Sequence, residues 1–282
     1  MKLAVITDTS ATINEKYKIY DNLHILDIPL TIDGVTYSSK TTASEEFFEK
    51  MATSSTVPKS AQPSLPELET LLQNLEAQGY THVLGLFLTS QISGFYQNAY
   101  YLQDETKTMV VKFPETSITS TPLGYMVETA LESAKSGASF DAILAEFETQ
   151  RDCDRAYMLV DDLKWLSKSG RLSGGSAFFG TLLNVKPVLT FTQEGKIVVQ
   201  DKVRTAKKSI TRLKELLVAG ANPELDKVYI MQAAADDKAH ELYVYALEQG
   251  FKDVEVVPFG AVVATHLGLG SLAYAWIRKH EI

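Results

Sequence analysis

The stretch that decides the fold is Leu3-Ala4-Val5-Ile6-Thr7-Asp8-Thr9-Ser10, an apolar run that meets polar residues at once. Such a run is typical of a strand buried on both faces, with a polar loop at its carboxyl end. A second run of this kind, His82 to Leu88, ends in Thr89-Ser90-Gln91-Ile92-Ser93-Gly94. Because helical patterns separate the strands in this part of the chain, the sequence predicts a mainly parallel sheet flanked by helices.

Local signals fill in the rest of the first half. A strand is predicted from His24 to Leu30, and Pro29 within it indicates an edge position. Asp33-Gly34 predicts a turn. Thr42-Ala43-Ser44-Glu45 and Ser64-Leu65-Pro66-Glu67 both have the capping-box spacing that opens a helix. The second of these helices is expected to end near residue 79.

The second half combines two kinds of connection. Glu194-Gly195 predicts a hairpin between strands at 187–191 and 196–200. Beyond it, helical patterns alternate with short apolar strands, which is typical of crossover connections. An apolar run from Phe178 to Leu183 predicts a further helix. The sequence therefore predicts two α/β domains, residues 1–152 with a parallel sheet and residues 153–282 with a mixed sheet and helices.

Composition excludes several classes of function. The chain has 282 residues, of which 45% are hydrophobic and 22% charged, and its formal net charge is −8. An acidic protein lacks the basic footprint of general nucleic-acid binding, so no nucleic-acid partner is expected. The basic stretch from Lys202 to Lys208 suits either a single anionic contact or a solvated helix face. One cysteine and the absence of paired histidines predict no disulfide and no metal site.

The beginning of the chain does not resemble a secretory signal, because its apolar run is short and meets Asp8 at once. No apolar stretch approaches the ~18 residues that a membrane-spanning helix needs. We therefore expect a cytoplasmic protein.

Three polar segments supply the candidate site residues. Ser60 precedes one predicted helix, Ser93 precedes another, and His266 lies near the end of the chain in Thr265-His266-Leu267-Gly268-Leu269-Gly270, which we expect to be a loop. A hydroxyl at a helix start, beside free backbone N–H groups, receives a carboxylate or a phosphate. The same residues also suit helix capping or plain structural roles, so local pattern alone leaves both readings open. The glycines match no Walker or dinucleotide-binding pattern.

Seven segments in the same order resemble signatures of the DegV family, and the resemblance runs almost from end to end. They are Ile6-Thr7-Asp8-Thr9-Ser10, Ser60-Ala61-Gln62-Pro63-Ser64, Ile92-Ser93-Gly94-Phe95-Tyr96-Gln97, the stretch from Leu166 to Ser173, Leu183-Asn184-Val185-Lys186-Pro187, Lys202-Val203-Arg204 and Thr265-His266-Leu267-Gly268-Leu269-Gly270. Ser60 stands where the family usually has threonine, which keeps the hydroxyl. Ala61, Phe95 and Leu269 also depart from the family pattern, and they would reshape the pocket.

The resemblance implies a protein that is not itself an enzyme. Members bury one long-chain fatty acid in a tunnel where the two domains meet. A separate ATP-dependent kinase subunit converts the exposed carboxylate to an acyl phosphate for phospholipid synthesis. The resemblance implies no catalytic residue, metal or cofactor, and it allows transient membrane contact. The site residues that it implies are Ser60, Ser93 and His266 for the carboxylate, Ile92, Gly94 and Thr265 for the pocket, and Arg204 for the kinase.

The physics of burial fits a fatty acid. About 14 methylenes at roughly 0.8 kcal/mol each provide on the order of 11 kcal/mol before association costs. The ionised head must be paired, because an isolated buried carboxylate is too costly. We expect the tail to lie among the apolar residues around Phe178, Phe179 and Leu182.

Two other functions remain open on sequence grounds. A hydrolase would use Ser93 as nucleophile and His266 as base, with Asp8 as a candidate orienting acid. A carrier of another anionic lipid or small acid would bind the charged group of its ligand at the same polar residues.

Overall fold

The computed structural model describes residues 1–173 and 185–280, apart from the side chains of Lys164 and Ser167. The first half contains a four-stranded sheet in the order β2-β1-β6-β7, in which every pairing is parallel. Its strands are β1 (Leu3–Asp8), β2 (Leu23–Leu26), β6 (His82–Leu86) and β7 (Val110–Lys112). All six residues of β1 are buried, as the opening apolar run predicts. The predicted parallel sheet is confirmed.

The second half contains a six-stranded mixed sheet in the order β10-β9-β8-β13-β11-β12. Only β11 and β12 pair in parallel, and the other pairings are antiparallel. The strands are β8 (Arg155–Leu159), β9 (Val188–Phe191), β10 (Ile197–Asp201), β11 (Asp226–Gln232), β12 (Val254–Pro258) and β13 (Leu272–Arg278). Gly195, with a φ of 86°, lies in the predicted turn between β9 and β10. The mixed sheet is also confirmed.

Nine α-helices lie within the described ranges. They are α1 (Ser44–Thr53), α2 (Leu65–Ala77), α3 (Phe95–Ala99), α4 (Ser120–Lys135), α5 (Phe140–Cys153), α6 (Leu163–Ser169), α7 (Ala206–Gly220), α8 (Asp236–Glu248) and α9 (Ala261–Leu267). Short 3₁₀ helices cover Glu15–Tyr17 and Tyr100–Asp104. The helix expected at 178–183 lies outside the described residues.

The region predicted as one strand from His24 to Leu30 is in fact two strands in different sheets. β2 ends at Leu26, and β3 (Pro29–Ile32) belongs to a small antiparallel sheet with β4 (Val35–Ser38) and β5 (Lys59–Ser60). Its order is β4-β3-β5, so the predicted edge position of Pro29 is wrong. Pro29 is tolerated in a central strand because it is the first residue, where a missing N–H costs least.

Of the two predicted capping boxes, one supplies a side-chain helix cap, through its serine. The Ser64 side chain accepts a hydrogen bond from the Glu67 N–H and caps α2. At α1 the prediction is wrong, because the N-cap residue is Ala43, which makes no side-chain cap. The helix therefore begins one residue later than it would if Thr42 were the N-cap residue.

The segment from Thr265 to Gly270 is not simply a loop. Thr265 and His266 lie in the last turn of α9, which ends at Gly268 with a φ of 79°. A methyl group on Gly268 would lie 2.9 Å from the Trp165 ring, so both conformation and space require glycine there. The strand that follows, β13, was not predicted, although it is the buried centre of the mixed sheet.

The two sheets share one hydrophobic core. Leu84 and Leu86 of β6 belong to the same cluster of buried residues as Met158 of β8 and Tyr229 of β11. Separate clusters lie under α2 and α3 on one side and under α7 and α8 on the other. The division between residues 152 and 153 stays a prediction, since the shared core contains residues from both sides of it.

In the described part of the chain, no helix has the length and apolar character needed to cross a bilayer.

The start of α4 packs directly against the loop that follows β1. A Cβ atom on Gly124 would lie 1.9 Å from the Thr12 carbonyl oxygen, so the helix cannot accept a larger residue without moving. This close approach sets the position of residues 118–120 relative to residues 8–12.

We expect Gly124→Ala to lower the free energy of unfolding by about 1–3 kcal/mol, because the added methyl group overpacks this contact. Urea denaturation followed by circular dichroism measures the change. Ser136→Ala, at the exposed end of the same helix, is the control and should leave the midpoint almost unchanged. Equal midpoints for Gly124→Ala and the wild type would contradict the packing described here.

Candidate functional site

A cavity of about 490 Å³ lies between the two halves of the chain. That volume is within the range of pockets that enclose small molecules. Its described lining is contributed by the mixed sheet, by Ser60 of the small sheet, by α6 and α9, and by the loops that follow β1 and β6. The residues that the argument uses are Ser10, Ser60, Gln62, Ser93, Thr119, Ser120, Arg171 and His266. A cavity built from both halves holds a ligand only when they are assembled.

Ser60 and His266 meet at one end of the cavity. Ser60 ends β5, and His266 lies on α9, 206 positions later in the sequence. The Ser60 Oγ and His266 Nε2 atoms are 2.7 Å apart and share a hydrogen bond. This contact joins the small sheet of the first half to a helix of the second.

His266 is neutral near pH 7. Burial lowers the pKa of its imidazole to about 3, and the positive charge of Arg171 lowers it further in the same direction. The other ring nitrogen, Nδ1, is buried and has no hydrogen-bond partner among residues 1–173 and 185–280. His266 therefore acts through hydrogen bonding and not as a cation.

Ser93 lies in the loop between β6 and α3, at the same end of the cavity. Its Oγ atom accepts a hydrogen bond of 3.3 Å from the Phe95 N–H, at the start of the short helix α3. Gly94 allows a close approach, since a Cβ atom there would lie 2.9 Å from the Gln62 Nε2 atom. The Ser93 hydroxyl keeps its proton available for a ligand in the cavity.

Arg171 brings a positive charge to the cavity wall. It follows α6, and its guanidinium donates a hydrogen bond to the Ser169 carbonyl oxygen. Burial lowers its pKa, but a guanidinium remains charged in proteins. An anion in the cavity is attracted to this charge, and neutral His266 does not compete for it.

The structure brings together five of the predicted site residues. Ser60, Ser93, His266, Ile92 and Gly94 all line the cavity. Thr265 does not line it: this residue is fully buried, and its hydroxyl donates to the Ala261 carbonyl oxygen within α9. Arg204 is exposed, before α7 and outside the cavity lining. Phe179 and Leu182 lie outside the described residues.

The side chains do not form a hydrolytic triad. His266 bonds to Ser60, and in the described part of the chain it has no hydrogen bond to Ser93 or to an acid. Both carboxylate oxygens of Asp8 accept backbone N–H groups, from Ser10 and Leu88 at 2.9 Å. Asp8 thus fastens the ends of β1 and β6 together and does not orient His266. Within the described ranges, no cluster of three or more potential metal ligands exists.

Comparison with known proteins identifies the family. The sequence model described as "Uncharacterised protein, DegV family" matches residues 2–279. This chain belongs to the DegV family. The DegV domain-containing protein YqaC of Lactococcus lactis is 61% identical over 275 residues, which cover 97% of this chain and 98% of that protein.

Solved structures of DegV proteins have the same fold. The fatty acid binding DegV family protein of Streptococcus agalactiae matches with a TM-score of 0.95 and 44% identity, covering 99% of this chain and all of that one. Bacillus subtilis DegV, described as a fatty acid binding protein, matches with a TM-score of 0.87 and 32% identity over the same shares. The resemblance inferred from sequence motifs is confirmed.

The motif-based site omitted several residues that line the DegV cavity. Arg171 lies within a segment already recognised as family-like, so its charge was a usable signal. Ser10 belongs to the first such segment, yet nothing in its neighbourhood indicates an inward orientation. Thr119 and Ser120 carried no signal, because they enter the cavity through the packing of α4 against the loop after β1.

We expect the His266 imidazole to stay neutral between pH 8 and pH 5. Nuclear magnetic resonance of the ring protons, assigned with His266→Ala, measures this directly. The unfolded chain takes up a proton at this residue near pH 6.5, whereas the folded protein does so only near pH 3. Stability due to His266 therefore falls as the pH decreases through that window. A ring titration near pH 6.5 in the folded protein would contradict the proposed neutral state.

Proposed function

We propose that this DegV protein binds one long-chain fatty acid in the cavity and presents its carboxylate to a separate ATP-dependent kinase subunit. The observation that carries the proposal is the pairing of a polar end, formed by Ser60, Ser93 and Arg171, with an otherwise largely apolar cavity. Solved relatives at 44% and 32% identity are described as fatty acid binding, which supports the same ligand class here.

The neutral imidazole arranges the Ser60 hydroxyl for a carboxylate. A buried N–H without a partner is rarer in proteins than an acceptor without one. The unpartnered Nδ1 atom therefore favours the tautomer in which Nε2–H donates to Ser60 Oγ. Ser60 is then left with its own proton to donate to the ligand. In this arrangement His266 is a positioning residue, and Ser60 and Ser93 make the direct contacts.

Charge balance also favours a carboxylate at this end. Arg171 supplies one positive charge, and two hydroxyls supply neutral donors, so a singly charged anion leaves no large net charge. Hydrogen bonds between neutral donors and a carboxylate are stronger than neutral pairs. The acyl chain then extends past apolar residues of both halves. Among those described are Ile28, Leu88, Met158, Met231 and Phe259.

The polar end of the cavity lies near the protein surface. Ser60 and Ser93 are half-buried, and their neighbours Ala61, Gln62 and Gln91 are exposed. A carboxylate held there leaves one oxygen within reach of a γ-phosphate, as in-line phosphoryl transfer requires. We propose that the kinase binds on this side of the molecule, and the family resemblance adds exposed Arg204 as a contact. The resulting acyl phosphate would feed phospholipid synthesis in the cytoplasm, with transient membrane contact.

We expect the protein purified from a bacterial host to release close to one equivalent of long-chain fatty acid into organic solvent. Mass spectrometry identifies the acid. Ser60→Ala and Ser93→Ala should retain several-fold less, because each removes a donor to the carboxylate. Ser64→Ala is the matched control: it removes an exposed capping hydroxyl from the same segment and should keep its lipid. Folded protein that neither contains nor takes up a fatty acid would refute the proposal.

We expect Arg204→Ala to reduce acyl phosphate formation at least several-fold without changing the bound fatty acid. The assay mixes the loaded protein with the kinase subunit and ATP and traps the product with hydroxylamine. Lys252→Ala, which also removes an exposed positive charge, is the control and should react like the wild type. Equal rates for all three proteins would place the kinase contact elsewhere.

A further inference from the structure

Three hydroxyl groups interrupt the apolar part of the cavity. Ser10, Thr119 and Ser120 all line it, and none belongs to the polar end at Ser60 and Ser93. Ser10 is 1% exposed and Thr119 is 7% exposed. The Thr119 hydroxyl has no hydrogen bond to any described residue, and the Ser10 hydroxyl has only the nearby Asp8 carboxyl as a partner among them. Because burying an unpaired hydroxyl is unfavourable, this wall suits a polar group that the described residues do not supply.

The Thr119 hydroxyl does not make a hydrogen bond that its position in the protein would normally allow. It is the N-cap residue of α4, where threonine normally accepts a hydrogen bond from the first turn of the helix. Its side chain makes no such bond. The helix therefore begins without its usual cap while the Thr119 hydroxyl remains at the cavity wall.

The backbone holds the three residues next to one another. Residues 11 and 120 form a parallel bridge, which places Ser10 beside Thr119 one position earlier on each segment. Ser120 has a φ of 64°, a left-handed conformation that is unfavourable for a residue with a side chain. Among the described residues, its hydroxyl donates only to the Met231 sulfur, a weak acceptor, at 3.4 Å. The Ser10 hydroxyl lies close enough to the Asp8 carboxyl to lower its pKa, although burial raises that pKa more strongly.

The loop that carries Ser10 meets the start of α9, whereas His266 lies in the last turn of that helix. The loop after β1 reaches residue 260, since a methyl group on Gly260 would lie 4.0 Å from the Thr9 carbonyl oxygen. His266 lies six positions after Gly260, and a helix rises about 1.5 Å per residue, so these two backbone positions are ~9 Å apart. Because bonds of about 1.5 Å zigzag in an extended acyl chain, each carbon advances it by about 1.25 Å, and this distance corresponds to roughly seven carbons.

We propose that Ser10, Thr119 and Ser120 form a second polar subsite, which selects a fatty acid with a hydroxyl or keto group near the middle of its chain. The inference rests on the proposed function, because it assumes that the carboxylate is held at Ser60 and Ser93. An oxygen at mid-chain pairs with the Ser10 and Thr119 hydroxyls. A plain acyl chain at the same place leaves them facing methylene groups, and sites built to bond a substrate hydroxyl discriminate against such analogues.

The test compares three acids on the delipidated protein, by displacement of a fluorescent fatty acid. They are octadecanoic acid, 9-hydroxyoctadecanoic acid and, as a positional control, 2-hydroxyoctadecanoic acid. We expect the 9-hydroxy acid to bind roughly fivefold to tenfold more tightly than the 2-hydroxy acid. Thr119→Val, which removes the hydroxyl at nearly constant size, should abolish that preference and tighten binding of octadecanoic acid. Thr119→Ser should restore the preference.

Thr121→Val is the matched control. Thr121 is also buried with an unpartnered hydroxyl within the described residues, but it is not part of the cavity lining. This variant should keep the wild-type preference. If the acids bind but Thr119→Val and the wild type show the same ratio, the second subsite is refuted and fatty acid binding stands. If no acid binds to the folded protein, the proposed function fails as well.

Discussion

The hydrogen bond between Ser60 and His266 is the contact on which the site depends. It connects a two-residue strand in the first half with a short helix in the second, and it lies at the polar end of the cavity. Because the contact buries the imidazole near Arg171, the ring stays neutral and the guanidinium keeps the positive charge. A protonated histidine would compete with Arg171 for the same anion. Packing thus determines that His266 is the neutral positioning group and that Arg171 carries the positive charge.

Much of the fold could be predicted from the sequence because its strongest signals are local. The buried run of β1, the cap at Ser64 and the turn at Glu194-Gly195 each depend on a few neighbouring residues. The failures occur where tertiary contacts decide. Pro29 is at the start of a central strand, because the small sheet pairs residues far apart in the sequence. β13 lacks the alternation of apolar and polar residues that predicts a strand, because both of its faces are buried. Its position near the end of the sequence gave no further indication of a strand.

In the candidate site, too, local motifs predicted some residues, and tertiary contacts decide the others. Family-like motifs predicted Ser60, Ser93 and His266, and all three line one cavity. Motifs report residues that relatives share at fixed places, so they do not reveal which side chains a distant loop turns inward. Thr119 and Ser120 line the cavity at the start of α4, where Gly124 lets the helix approach the Thr12 carbonyl oxygen and residue 120 bridges to residue 11. No pattern within a short window of sequence contains that information.

The shared cavity has a consequence for the lifetime of the protein in the cell. A cavity of about 490 Å³ at the junction of two halves weakens their packing, since atoms around it lack neighbours on one side. A ligand that fills it binds the folded chain and not the unfolded one, and so raises the free energy of unfolding. Chains that hold such a ligand would therefore resist proteolysis longer than chains that do not. The amount of the protein would then follow the supply of its ligand, without any change in transcription.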